Sequence, residues 1–329
     1  MASDAGLGAQ RAFPRTSSSH VFHEVWASNL DDQFDALIAA IERAADAGAV
    51  VAIDMEFPGF LQKEPRSSAR GPRYQALREN VDSLWPIQMG VAVAGADGHF
   101  CGVWCFNLHF DAEVDAHSEP SLDFLHTAGI DFPRHRTEGI EAAALGRRLA
   151  CSRLFGRHWR APWWITFSGA YDLGYLLKLL TSGRPLPQEP ADFDRALEVY
   201  CPHRHDLRHD LPHGSLESLG RQLGVRRYGR AHNAASDALL TLELYQHVTK
   251  TSYVQSSLDK AWGHWHQHSW AAWSAYRRWE QWEQYQAWPD PWALPPSLPF
   301  APWASPADAQ ATLGRRPSAT LYRAVNGPL

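Results

Sequence analysis

The chain is poor in everything that would cross-link, anchor or coat it. Its four cysteines, Cys101, Cys105, Cys151 and Cys201, are scattered through apolar or strand-like contexts, which excludes a disulfide-built scaffold and fits reduced, structural thiols. Cys101 and Cys105 have near-metal spacing, yet no second pair completes a zinc site. No run is long and apolar enough to cross a bilayer, so no membrane partner is expected. The opening MASDAGLGAQRAFPRTSSSH has no apolar core of the secretory kind. Its Arg and Ser residues allow an organelle transit peptide, but Asp4 and weak amphipathicity make a disordered tail over residues 1–20 the expectation. Basic excess is missing as well, with Lys and Arg totalling 31 against 36 Asp and Glu, for a net charge of −5. That excludes a protein coated in cations. It does not exclude nucleic acid, because a carboxylate-rich site lowers the sum while local arginines can still meet phosphates.

What is present fills one large α/β domain over residues 21–250, flanked by ends of different composition. Phe34, Leu37, Ile38 and Ile41 recur at helical spacing after Asn29 or Asp31 as a cap, stopping at Gly48. The run beginning at Val50 reads as a strand, and PIQMGVAVAG and HFCGVWCFNL read as two more joined by the turn GADG, giving a three-stranded meander. A helix follows at TEGIEAAALGRRLACSRL, then the short strand WWITF, then a helix at YDLGYLLKLLTSG closed by Gly183. Further helices fit DFDRALEVYC, SLESLGRQLG and NAASDALLTLELYQHV. Strands first, helices after, and one late strand among them predict a mixed sheet flanked by helices, which fits a ribonuclease H-like architecture. Residues 251–329 change character: AWGHWHQHSWAAWSAYRRWEQWEQYQAW spaces its aromatics mostly by three, as a Trp-rich helix, and PDPWALPPSLPFAPWASP is a Pro-rich disordered tail.

The chemistry starts at VVAIDMEFPGF. Alternation along a strand puts Asp54 and Glu56 on one side, near the end that Pro58 and Gly59 terminate. Two carboxylates buried together repel and lose hydration unless a cation lies between them, and a hard divalent ion supplies it; capping of loops or pairing with arginine is the alternative. Asp172 opens a helix directly after WWITF, and Asp237 lies in the first turn of another. Each alone reads as a residue favouring the helix dipole. Together the four carboxylates are enough for two Mg²⁺ or Mn²⁺ ions set up for phosphodiester hydrolysis. His232 precedes Asp237 by five residues; with Asn233 as the cap, it lies on the entering loop and can turn toward the site as general base. RQLGVRRYGRAH places Arg226, Arg227 and Arg230 just before it, either as contacts for an RNA backbone or as a solvated loop.

These motifs resemble the DEDD superfamily of 3′-to-5′ exonucleases, in the branch with histidine at the His-x-x-x-x-Asp spacing. More closely, the order EVWASNLDDQ, DMEFPGF, YQALRENVDSLWPIQMG, WCFNLHF, FLHTAGIDF, EGIEAAALGRRL, YDLGYLLKLL, LESLGRQLGV and HNAASDALLTLELY is similar to the Caf/Pop-type mRNA deadenylases, catalytic subunits of the Ccr-Not complex. By position the resemblance implies metal ligands at Asp54, Glu56, Asp172 and Asp237 and a general base at His232. It implies removal of AMP from poly(A) RNA, docking to the scaffold and second deadenylase subunits of that complex, and action in cytoplasm and nucleus. Two departures stand out. Met55 replaces the usual threonine between the carboxylates and is expected to face away. Ser168 and Ala170 replace a histidine and a glycine before Asp172, where a lost ring and an added Cβ in a tight turn are expected to lower activity. Two other readings stay open: a scaffold or RNA-binding subunit with a decayed site, and a relative that trims other RNA ends.

Overall fold

The computed structural model describes residues 21–250 apart from 64, 66–68, 157 and 159, so the expected N-terminal tail and the Trp-rich and Pro-rich segment lie outside the described residues. Six strands form one mixed sheet in the order β1-β4-β3-β2-β5-β6, where β1 is Phe22–Val25, β2 Ala49–Glu56, β3 Gln88–Gly95, β4 Phe100–Asn107, β5 Trp163–Thr166 and β6 Arg204–Asp206. The expected meander is present: β2 pairs antiparallel with β3, and β3 with β4. β5 joins parallel to β2 and β6 parallel to β5, so β2, β5 and β6 all end at one edge of the sheet.

Helices cover both faces. Helix α1 (Leu30–Ala44) buries Leu30, Phe34, Leu37 and Ile41, a single apolar stripe with Asp31 and Asp32 at its positive end. It shares one core with Val51, Ile53 and Met55 of β2, with α2 (Arg70–Ser83), α5 (Ala142–Cys151), α6 (Ala170–Leu180) and α7 (Pro190–Tyr200). α3 (Glu119–Ala128) and α4 (Phe132–Glu138) lie between α2 and α5 in the chain. On the other face, Val50 and Ala52 pack against Leu239 and Leu242 of α9 (Ala234–Lys250), with α8 (Leu216–Gln222) beside it. Period-two alternation therefore sends Asp54 and Glu56 toward α9, and Met55 into the opposite core at 4% exposure, facing away as expected.

The start of α9 lies very close to the sheet because small residues line the seam: Gly90, Ala92 and Ala94 of β3 and Ala52 of β2 against Ala234, Ala235 and Ala238. Gly90 sits opposite Asp54 in the ladder, and a Cβ there would collide with the backbone of Ala234 and Ala235. Where a helix was expected from Thr137 onward, the chain ends α4 at Glu138, makes a bridge between Ile140 and Leu108, and only then begins α5 at Ala142. Main-chain pairing to the end of β4 outweighs the local periodicity there.

Candidate active site

At the shared C-terminal edge of β2 and β5, four acidic side chains converge. Asp54 and Glu56 come from the last turn of the pleat in β2, Asp172 from the first turn of α6, and Asp237 from the first turn of α9. Asp172 is 8% exposed and Asp237 7%. The Met55 amide donates to Asp172 Oδ1 at 2.7 Å, which ties the start of α6 to β2 and fixes that carboxyl beside the strand.

The field is what such crowding predicts. Burial, followed by Asp172, Asp237 and Glu56, raises Asp54 well above the carboxylate range. Burial, then Asp237 and Asp172, pushes Glu56 up to about 8. Burial pushes Asp172 up to about 7 despite the Met55 amide, and burial also raises Asp237. The cluster therefore either shares protons or takes up a cation.

His232 reaches the same place by the route expected from sequence. Asn233 caps α9, its Oδ1 accepting from the Ser236 amide at 3.1 Å, so His232 stands on the entering loop. Its backbone is left-handed, with φ 60°, and its amide donates to Asp237 Oδ2 at 2.9 Å. Its ring meets the exposed Phe124 edge-on, with centroids 4.5 Å apart. Ligand atoms of Glu56, His232 and Asp237 all lie within 4.8 Å of one another. Asp54 and Asp172 stand outside that group of three; Asp172 acts on Glu56 through its charge, and Glu56 and Asp237 act on Asp54 in the same way. Carboxylate oxygens crowded at one sheet edge suit a hard divalent cation, and the exposed imidazole of His232 stands beside them. The residues present fit such an ion.

The three arginines separate. Arg226 is exposed with its guanidinium over the Tyr228 ring at 5.5 Å, and Arg230 is exposed next to Gly129. Arg227 turns inward instead: it pairs with Asp237 Oδ1 at 2.6 Å and Glu217 at 2.5 Å, and donates to Ser236 Oγ at 3.0 Å, with its side chain only 13% exposed.

The loop before Asp172 corrects one expectation. Ala170 is exposed and begins α6 with ordinary backbone, so its Cβ meets no tight turn. The position that needs glycine is Gly169, where a Cβ would strike the Thr166 side chain. Strain sits at Ser168, held at φ 58°. Asp206, which sequence reading missed, clamps this loop: Oδ1 accepts from the Ser168 amide at 2.9 Å and Oδ2 from the Gly169 amide at 3.0 Å. A three-residue strand of Arg, His and Asp carries no apolar pattern, so nothing in the sequence marked Asp206 as part of the site.

Residues 25–145 match the family described as CAF1 family ribonuclease. The chain is 35% identical over 260 residues to Probable CCR4-associated factor 1 homolog 10 of Arabidopsis thaliana, covering 74% of this chain and 91% of the relative. It is 34% identical over 246 residues to Poly(A) ribonuclease pop2 of Schizosaccharomyces pombe, covering 72% and 71%. Among solved structures, S. pombe Pop2p in its Mg²⁺- and Mn²⁺-bound form aligns with a TM-score of 0.65 at 33% identity, over 70% of this chain and 93% of that one. CAF1 co-crystallized with the yeast NOT1 MIF4G domain aligns with a TM-score of 0.60 at 28% identity, over 73% and 92%.

Proposed function

The chain belongs to the CAF1 ribonuclease family, and from that premise we propose that it is a 3′-to-5′ exoribonuclease that shortens the poly(A) tails of mRNA and releases AMP. The observation that carries this reading is the convergence of Asp54, Glu56, Asp172 and Asp237 with His232 at one sheet edge. Asp54, Glu56, Asp172 and Asp237 would hold two divalent ions, Mg²⁺ or Mn²⁺. When bound, such ions activate a water and stabilise the leaving 3′ oxygen. A Mg²⁺- and Mn²⁺-bound relative supports the choice.

The chain's own residues do the rest. The His232 ring, exposed and unencumbered by the backbone bonds that fix its main chain, accepts the proton of the attacking water at a ring nitrogen. Arg226 and Arg230, on the surface of the loop leading to His232, face the RNA backbone, and Arg227 does not share that task because it is spent on carboxylates. Membership of the Ccr-Not complex goes with the reading, through a NOT1-type scaffold and a CCR4-type second deadenylase, as the relatives' names and the NOT1-bound neighbour support. Cytoplasm and nucleus are the corresponding places of action.

Against the decayed-scaffold reading stand the meeting of Glu56, His232 and Asp237 within 4.8 Å, the charge coupling of Asp54 and Asp172 to them, and the ordinary backbone of Ala170. The test is a side-by-side assay of 5′-labelled A-tailed RNA, mixed-sequence RNA and DNA with Mg²⁺ or Mn²⁺. The expected result is stepwise loss of adenosine from the A-tailed RNA, abolished by Asp54→Asn. Equal trimming of all three substrates would overturn the poly(A) assignment, and activity retained by Asp54→Asn would overturn the site.

A further inference from the structure

Arg227 is the unexpected member of the site. The sequence left it either an RNA contact or part of a solvated loop, yet it is largely buried and its guanidinium touches Asp237, Glu217 and Ser236. Its positive charge also acts on Asp54 and Glu56, opposing the repulsion among the acidic groups. Behind it, Glu217 on α8 shares the guanidinium, and Ser236 Oγ, which accepts from Arg227, donates to the Tyr228 carbonyl at 2.6 Å. The fork is thus fixed from several sides rather than left to swing into solvent.

We propose that Arg227 is a built-in counter-cation: it offsets the acidic cluster's own repulsion and so lowers the affinity of the centre for divalent ions. This rests on the metal-dependent reading above. A guanidinium and a divalent ion compete for the same negative charge, and their mutual repulsion in a buried site is large. The opposing effect, orientation of Asp237 by its outer partner, ordinarily strengthens ion binding. Here it is the smaller of the two. Asp237 Oδ2 is held independently by the His232 amide, and the residue sits in the first turn of a buried helix, so its placement does not hang on the guanidinium. The charge, by contrast, has no substitute in the three contacts named. The arrangement keeps the four carboxylates foldable together and makes occupancy responsive to the divalent ion concentration.

The experiment uses the purified full chain, stripped with chelator and titrated with MnCl₂ at pH 8, reading the binding isotherm by calorimetry and the melting temperature in parallel. Arg227→Gln should melt lower than the parent in chelator and bind Mn²⁺ about tenfold or more tighter. Its Mn²⁺-dependent rise in melting temperature should therefore exceed the parent's. Arg227→Lys, which keeps the charge, should stay close to the parent in affinity. Unchanged or weaker Mn²⁺ binding by Arg227→Gln overturns the proposal. If Arg227→Gln folds only with Mn²⁺ present, the proposal stands in its strongest form. If it folds in neither condition, Glu217→Gln decides. That half-exposed carboxylate shares the guanidinium, so its neutralisation should weaken Mn²⁺ binding, and unchanged or tighter binding overturns the proposal. Absence of Mn²⁺ binding by the parent chain would instead sink the metal-dependent reading itself, which keeps the two failures apart.

Discussion

Gly90→Ala should damage the active site without touching any residue in it. Gly90 lies opposite Asp54 in the β2–β3 ladder, and its missing side chain is the space into which the first residues of α9 descend. A Cβ built there falls under 3.0 Å from the Ala234 carbonyl oxygen and carbon and from the Ala235 nitrogen, a distance real Cβ atoms essentially never show. All three are main-chain atoms at a helix start, so no side chain can rotate away to make room. The first turn of α9 must withdraw by about 1 Å, at a cost of about 1–3 kcal/mol of overpacking strain. For a domain of this size that is a melting temperature lower by about 5 °C. The functional effect is larger, because Asp237 rides on that turn and His232 on the loop tied to it, while Asp54 and Glu56 stay on β2. A displacement of about 1 Å in a reacting constellation costs on the order of 100-fold in rate. The measurement is the shortening rate of labelled A-tailed RNA at saturating Mn²⁺, beside thermal unfolding. Gly71→Ala is the control, since nothing lies within 4 Å of its added Cβ, and it should leave both readings unchanged. A Gly90→Ala protein that melts and shortens RNA like the parent would refute the claim that this close approach sets the site.

Two further outcomes follow from strain and from charge. Ser168→Gly releases a left-handed residue at an exposed position, and after the entropy that glycine adds to the unfolded chain it should stabilise by up to about 1 kcal/mol in denaturant titration; destabilisation would show that Ser168 makes a favourable contact there. In chelator, stability should fall as pH rises. Glu56 and Asp172 are raised from 4.5 and 3.8 when unfolded to about 8 and about 7 when folded, so the folded state holds the extra protons. Their contribution is complete below the unfolded values and is lost as pH climbs through about 7 to 8. The extra melting temperature conferred by Mn²⁺ should grow over the same window, because the ion needs the carboxylates ionised. A melting temperature in chelator that rises between about pH 6 and pH 8.5 would contradict the raised values.

Much of this molecule could be read before folding it. The stripe of α1, the β2–β3–β4 meander and the late strand Trp163–Thr166 follow from periodicity and turn residues, because each buries a face that local sequence spells out. Asp54 and Glu56 were visible as charges in an apolar run, and Asp172, Asp237 and His232 as helix-start residues with family spacing. Periodicity does not reveal α2, whose stretch opens on Arg-Gly-Pro and buries Asn80 within its apolar face, nor the short α3 and α4. It also misses β1 and β6, strands of four and three residues that exist through pairing with β4 and β5.

The sequence by itself determined which residue types carry the chemistry and on which side of β2 they emerge, since a period of two leaves a strand no freedom there. Only the tertiary structure decided what surrounds them. Whether Arg227 faces RNA or Asp237, whether Ala170 strains a turn, and whether Asp206 holds the loop before Asp172 all depend on how segments distant in the chain pack together. Loop residues carry no repeating burial to fix their direction, so their partners are chosen by the packing of α9 on the sheet and the pairing of β6 with β5, which no local spacing encodes.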